Sequence, residues 1–285
     1  MNAPHPRVRR LAELKQAGTP IVMVTAYDIV SARVTEAAGV DVVLVGDSAA
    51  NVVLGYENTR DVGVDELLSL ARAVRRGVQT PLLVCDLPFG TYEASDELAV
   101  TTSRRFMDEV GCDAVKIEGG GAIAERARAV VAAGIPVMGH VGLLPQHLAP
   151  GVPARARGRG VDEALEIARS ARELEDAGCF SIVFEAVPAA VAQAIGATLT
   201  VPTIGIGAGA ATDGQVLVFH DLLGLSLGRQ ARFVKHYAQL FAPMVDAVRA
   251  FAGDVRAHRY PADEHTYPVD PDQLAAFLAQ LPGDR

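Results

Sequence analysis

Apolar and polar positions alternate in one repeated unit along most of the chain, a helical stretch closing on glycine and then an aliphatic run. EAAG precedes VDVVLVGD, RRG precedes PLLVCD, DEVG precedes CDAVKIEG, AAG precedes IPVMGH, and EDAG precedes CFSIVFE. Glycine tolerates the left-handed conformation that closes a helix, so Gly39, Gly77, Gly111, Gly134 and Gly178 are predicted helix ends. Aliphatic runs of this kind read as parallel strands buried on both faces. Eight are predicted, centred on IVMVTAYD, VVLVGDS, LLVCDLPF, AVKIEGG, PVMGHVG, SIVFEAVP, PTIGIGAG and QVLVFHD. Eight such units over roughly 250 residues match a (β/α)8 TIM barrel, an α/β fold whose chemistry lies on the loops after the strands. An open doubly wound sheet shares the alternation and would place a site where strand order reverses; the spacing favours the barrel. One barrel domain is expected across residues 1–285, with an N-terminal segment at 1–18. From about Asp221 the strand rhythm yields to ARFVKHYAQLFAPMVDAVRAFAG, read as one long helix. The turn-rich YPADEHTYP and a short helix around DQLAAFLAQL follow, so about 253–285 is expected to form a lid or interface extension.

Three of the aliphatic runs end on a carboxylate, at Asp47, Asp86 and Glu118. An acid leaving a core is costly unless something pairs with it, and a divalent cation is one such partner. Three hard oxygen ligands from neighbouring strand ends suit Mg2+ or a similar ion. A lone Asp in such a place more often caps a helix or braces a turn; three together shift the balance. Lys116 and Glu118 stand two apart, so on a strand they face the same pocket, either as a structural ion pair or as part of a site. His140 also ends a strand, where it can donate to a substrate oxygen. Glu185, in SIVFEAVP, has apolar neighbours that favour its protonated form, which suits proton transfer. The GIGAG run at 205–209 offers amides to an anion, but it stands too late in the series for a dinucleotide fingerprint, and close packing at a barrel turn is the favoured reading. His220 and Asp221 end the last predicted strand as supporting or purely structural groups, and His236 and His265 carry no independent signal.

Composition narrows the picture. With half of its 285 residues hydrophobic, the chain can bury a large core. A net charge of −8 and only short Arg clusters argue against nucleic acid as a partner. Cys85, Cys112 and Cys179 are odd in number and lack CxxC spacing, so buried thiols are expected rather than disulfides, and a cytoplasmic location with them. The basic MNAPHPRVRR is followed by LAELKQAG instead of an apolar signal core, and no window approaches the ~20 apolar residues of a membrane span.

VTAYD, VLVGDS, CDLPF, VKIEGG, GHVGLLPQ, FEAVP, TIGIGAG, DGQVLV, RFVK and ADEHTY, in this order over roughly residues 19 to 267, resemble the ketopantoate hydroxymethyltransferases. The resemblance implies a barrel of the phosphoenolpyruvate mutase and isocitrate lyase type. It implies transfer of a hydroxymethyl group from 5,10-methylenetetrahydrofolate to 3-methyl-2-oxobutanoate, giving 2-dehydropantoate for pantothenate and coenzyme A synthesis. It further implies a homo-oligomer, typically a decamer. Carried onto matching positions, it makes Asp47, Asp86 and Glu118 the metal-site acids, some acting through water. Asp47, Ser48, Asp86, Lys116 and His140 then contact the 2-oxo acid, and Glu185 moves the proton. A magnesium ion bound by the carboxylate and keto oxygens of the substrate acidifies its neighbouring C–H and stabilises the enolate that attacks the one-carbon unit. Lys116 neutralises the substrate carboxylate while His140 supports the enolate oxygen.

Two loops depart from the family pattern. After GHVGLLPQ, where relatives carry Thr in place of Leu144 and a Gly-Gly-aromatic stretch leading to VQG, this chain reads HLAPGVPARARGRG, and TRDVG at Thr59 to Gly63 replaces a Leu-Pro-Val-Thr-like segment. Such loops set substrate choice. Rewriting of 144–160 and 59–63 leaves other readings open: a paralogue acting on another 2-oxo acid or taking formaldehyde, a Mg-dependent C–C or C–P lyase of the same barrel group, or a non-enzymatic oligomeric binding module. Intact Lys116, His140 and Glu185 argue against the last.

Overall fold

Residues 5–149, 151–152, 154–228 and 230–282 are described by the computed structural model of the chain. The chain divides into two compact units, residues 1–237 and 238–285. In the first, β1 (Ile21–Thr25), β2 (Val42–Val45), β3 (Leu82–Asp86), β4 (Ala114–Glu118), β5 (Val137–Gly142), β6 (Ser181–Glu185), β7 (Thr203–Ile206) and β8 (Gly214–Leu217) form a closed barrel in sequence order. Every neighbouring pair is parallel, including the closing pair β1 and β8. At that seam Ile21 pairs with Gly214, and a Cβ there would meet the Ile21 carbonyl at 2.5 Å, so only glycine lets the barrel close. The eight predicted strands and the barrel are thus present.

The helices of this unit are α1 (Pro6–Gln16), α2 (Ile29–Ala38), α3 (Ala49–Val52), α4 (Val64–Gly77), α5 (Asp96–Arg105), α6 (Ala122–Ala132), α7 (Val161–Asp176), α8 (Ala189–Gly196) and α9 (Phe219–Leu222). Local chemistry starts them: the Asp28 carboxylate accepts from Ser31 N at 2.7 Å to cap α2, and Ser95 Oγ accepts from Leu98 N to cap α5. Gly39, Gly111, Gly134 and Gly178 have positive φ at helix ends as expected. Gly77 differs: it is the last residue of α4, and a Cβ would lie 2.5 Å from that of Ala32, so it serves the close approach of α2.

Both faces of the strands are covered, which explains why the runs are nearly continuous in apolar residues. Outward side chains such as Val43, Val45, Leu83, Cys85, Val115, Ile117, Ile182 and Phe184 join the core beneath the helices. Inward ones form a separate cluster of Ile21, Met23, Val42, Leu44, Leu82, Val84, Ala114, Met138, Val183, Ile204 and Val216. Val8, Leu11 and Leu14 of α1 belong to that inner cluster, so the N-terminal segment plugs the lower mouth of the barrel. Lys15 anchors it to Asp213 at 3.0 Å and to the Val201 carbonyl, and Arg7 grips Asp113 at 2.8 Å, all before strand starts. Cys85, Cys112 and Cys179 are free and buried.

The second unit contains α10 (Phe241–Arg256), a short turn at Asp263–His265 and α11 (Pro271–Gln280). The long helix predicted from ARFVKH begins only at Phe241, because residues 231–240 carry turn and irregular backbone instead. Within the unit the Phe251 and Tyr260 rings meet edge to face at 5.3 Å. Among the described residues no helix is long and apolar enough to cross a membrane.

Candidate active site

The inward parity of the strands continues from the apolar cluster into charge. Two residues beyond Val84 stands Asp86, beyond Ala114 come Lys116 and Glu118, beyond Met138 comes His140, and beyond Val183 comes Glu185. Strand register then brings them together, since Asp86 pairs with Lys116 and Glu118 with His140. Lys116 Nζ lies 2.9 Å from Asp86 Oδ1 and 3.8 Å from Glu118 Oε1. His140 bridges two carboxylates, with Nδ1 3.3 Å from Glu118 Oε1 and Nε2 3.3 Å from Glu185 Oε2. Asp47 enters from the turn after β2, where its backbone N–H donates to Asp86 Oδ2 at 3.0 Å. A Cβ on Gly46 would sit 3.4 Å from that same oxygen and 2.9 Å from Ser48 Oγ, so glycine keeps this turn close to β3. Ser48 stands at the edge, half-buried, with Oγ 2.8 Å from the Tyr27 hydroxyl.

Burial sets the charges. Asp47 is held well above the usual carboxylate range by desolvation and by the facing charges of Asp86 and Glu118. Asp86 is raised by desolvation as well, with Lys116 opposing the rise. Burial also acts to raise Glu118, but attraction to His140 and Lys116 outweighs it and the group is lowered. For His140 burial acts downward, yet the Glu118 charge prevails and pushes it up to about 9. Lys116 is likewise raised despite burial, by Asp86 and Glu118. A cationic Lys116 and His140 thus face three buried acids.

Glu185 departs from the sequence expectation. Its surroundings are not purely apolar: the side chain is 16% exposed and its carboxylate faces His140. His220 and Asp221 lie in the one-turn α9 rather than at a strand end; the His220 ring centre is 5.5 Å from that of Tyr27, whose hydroxyl meets Ser48 Oγ. In the GIGAG run, a Cβ on Gly207 would meet Phe233 Cδ1 at 2.4 Å and one on Gly209 would meet Ala189 Cβ at 2.4 Å, so close packing is its role.

The sequence reading missed Gln146 and Tyr92. Gln146, wholly buried, donates from Nε2 to Asp47 Oδ2 and to the Leu87 carbonyl, both at 3.0 Å, and its backbone N–H donates to Glu118 Oε2 at 3.1 Å. Its Oε1 accepts from the Tyr92 hydroxyl at 2.6 Å. One residue thus fixes two acids, Asp47 in the turn after β2 and Glu118 at the end of β4. No charge or spacing marks it; the signal was an amide inside the apolar GHVGLLPQ run, where a buried polar group needs partners. The two rewritten loops also meet, as Arg60 stacks 4.0 Å from the Phe89 ring and donates to the Leu148 carbonyl at 3.3 Å.

Two buried polar atoms here lack a well-oriented partner, Asp86 Oδ1 and His140 Nε2. The first lies near Lys116 Nζ and the second near Glu185, but neither contact has hydrogen-bond geometry. Both atoms therefore retain hydrogen-bonding capacity that an ion or substrate could use. Among the described residues no three His, Cys, Asp or Glu side chains converge as a ready-made metal cage. The donor set nevertheless fits Mg2+, which is commonly held by one or two carboxylates with water and substrate oxygens completing the octahedron.

A family model described as Ketopantoate hydroxymethyltransferase matches residues 5–263. The 3-methyl-2-oxobutanoate hydroxymethyltransferase of Saccharopolyspora erythraea is 51% identical over 263 residues, spanning 92% of this chain and 89% of its own. That of Salinibacter ruber is 47% identical over 264 residues, spanning 92% of this chain and all of its own. Among solved structures, a phosphonopyruvate hydrolase complexed with oxalate and Mg++ superposes with a TM-score of 0.60 at 14% identity, covering 97% of this chain and 99% of that one. A 2,3-dimethylmalate lyase of the PEP mutase/isocitrate lyase superfamily gives 0.56 at 16% identity, covering 96% and 98%. These structural likenesses carry the barrel type.

Proposed function

Since the chain belongs to the ketopantoate hydroxymethyltransferase family, we propose that the polar upper storey of its barrel is where 3-methyl-2-oxobutanoate loses a proton and gains the one-carbon unit. The activity is that of a 3-methyl-2-oxobutanoate hydroxymethyltransferase in pantothenate biosynthesis, with methylenetetrahydrofolate as donor. The observation that carries the site reading is the buried chain Asp86, Lys116, Glu118, His140, Glu185, which ends in a carboxylate reachable from solvent.

Asp47 and Asp86, with Glu118 acting directly or through water, would hold a divalent cation such as Mg2+. When bound, that ion supplies positive charge that acidifies the carbon next to the keto group. The chain's own groups do the rest. Lys116 Nζ sets its charge against the substrate carboxylate, and Ser48 Oγ offers a further donor at the rim. The Glu185 carboxylate takes the C3 proton. His140, kept protonated by Glu118, donates to the enolate oxygen as negative charge develops there. C3 then forms a bond to the folate-borne carbon, which gives up both of its bonds to nitrogen and takes the hydroxyl of one water; the proton removed from C3 and the remaining water proton end on the two nitrogens.

A homo-oligomer, the decamer of the resemblance, belongs to the same reading. Met244, Val248 and Phe251, exposed along α10, offer the kind of surface an assembly buries, with the C-terminal extension as lid or interface. The free buried thiols suit a cytoplasmic setting.

The test is C3 proton exchange of 3-methyl-2-oxobutanoate in deuterated water without folate, followed by NMR. Exchange that requires added Mg2+ and stops with chelator is expected. No exchange by folded protein, with or without Mg2+, contradicts the reading.

A further inference from the structure

An open cavity of about 1220 Å³ adjoins the proposed base, walled by Ala186 and Val187 directly after Glu185 and floored by Phe233 on Gly207. Its volume exceeds the roughly 300–1,000 Å³ common for drug-sized ligands, far more than a small 2-oxo acid fills. Arg155, Arg159 and Arg232 stand on its rim. Among the described residues none of the three has a carboxylate within 4.0 Å, whereas Arg157, which does not line this cavity, pairs with Glu163 at 3.2 Å. All three guanidiniums are exposed around one mostly apolar hollow, so each is open to an anionic ligand seated there. The arrangement matches a ligand with an aromatic body and carboxylates at one end, since guanidinium forks favour carboxylates and apolar walls favour rings.

The floor is built for such an occupant. A side chain on Gly207 would run into the Phe233 ring, so that ring lies against bare backbone. Ala186 holds a positive φ of 49°, fixed by its N–H to the Ile206 carbonyl at 2.8 Å and by its own carbonyl accepting from Arg157 N at 2.9 Å. That second bond ties the arginine loop to the residue beside the base, so whatever the loop grips is set next to Glu185. Two of the arginines lie in ARARGRG, the segment that departs from the family pattern.

We propose that this cavity receives the p-aminobenzoyl-glutamate arm of the folate donor, with Arg155, Arg159 and Arg232 binding its carboxylates and favouring donors with several glutamates. The proposal rests on the reading of Glu185 as the base, which the donor's one-carbon unit must reach.

The test measures the donor KM for methylenetetrahydrofolate with one and with three glutamates, at saturating 2-oxo acid. The double variant Arg155→Gln/Arg159→Gln and the single Arg232→Gln are compared with wild type and with Arg157→Gln. Partly exposed guanidinium contacts are worth a few-fold each, so the double variant should raise the donor KM roughly tenfold, more for the triglutamate, with little change in kcat. Arg157→Gln, its charge spent on Glu163, should leave the donor KM at the wild-type value. Folate-free C3 exchange should persist in every variant. Arg232→Gln should raise the donor KM a few-fold, and a donor KM within about twofold of wild type in both the double variant and Arg232→Gln overturns the proposal. Calorimetric titration with tetrahydrofolate triglutamate reads the cavity without chemistry, so loss of exchange in wild type would remove the role of Glu185 while leaving the donor site separately tested.

Discussion

The lower and upper storeys of the barrel are built from the same strands at the same inward parity, yet they share almost no chemistry. Below, Leu82, Val84, Ala114, Met138 and Val183 interlock beneath the plug of α1. Above, one step of two residues along each strand, Asp86, Lys116, His140 and Glu185 take the same positions. The lower storey gains free energy from apolar burial at about 25 cal/mol per Å². The upper one sets buried charges against each other, an arrangement that seldom adds net stability and is costly when one partner is removed. Apolar packing and paired charge are therefore stacked along one axis, and closeness to the loops decides which residue type a position takes.

That contrast can be broken from either side. Glu185→Gln should lower turnover by roughly 10²- to 10⁴-fold, the scale of a lost general base, while calorimetry shows Mg2+-dependent binding of the 2-oxo acid retained. Binding and turnover falling together would make Glu185 a structural group. Asp86→Asn leaves Lys116 without its nearest counter-charge and should weaken metal-dependent 2-oxo acid binding by about 3 kcal/mol, read by the same titration. Met138→Ala, in the lower storey, should cost about 2–4 kcal/mol in urea unfolding yet leave kcat per folded molecule unchanged. A kcat loss there would show that the storeys are not separable.

Smaller effects sharpen the boundary. Gln146→Leu takes the side-chain donor from Asp47 Oδ2 and the Leu87 carbonyl and the acceptor from the Tyr92 hydroxyl, so about 1–3 kcal/mol of stability should be lost together with Mg2+ affinity. Last is pH. His140 is raised by Glu118 to about 9 from an ordinary 6.5, so in the metal-free protein its contribution is complete below pH 6.5 and lost as the pH rises through about 9. Urea unfolding across that window should show a fall on the order of 1–3 kcal/mol that His140→Gln flattens.

The fold was legible because a doubly covered parallel strand must be apolar on both faces and because the helix ends recur at glycine. The acids were legible for a related reason: a carboxylate closing an aliphatic run stands out. Gln146 carries no charge and follows Pro145 in a short turn, so its role comes from three-dimensional convergence alone. The start of α10 was misplaced because residues 231–240 have helix-like composition but are held in turns. Likewise, the surroundings of Glu185 were misread because its apolar sequence neighbours Phe184 and Val183 are not its spatial ones. One faces the helices and the other lies deeper in the barrel, while His140, from the adjacent strand, faces the carboxylate.

The central claim is that the upper storey is arranged around one divalent cation shared with a 2-oxo acid. Anomalous diffraction from crystals grown with Mn2+ and 3-methyl-2-oxobutanoate tests this directly. The account predicts a single strong peak within about 2.0–2.6 Å of carboxylate oxygens of Asp47 or Asp86. A peak elsewhere in the molecule, or none at a metal concentration that supports turnover, contradicts it.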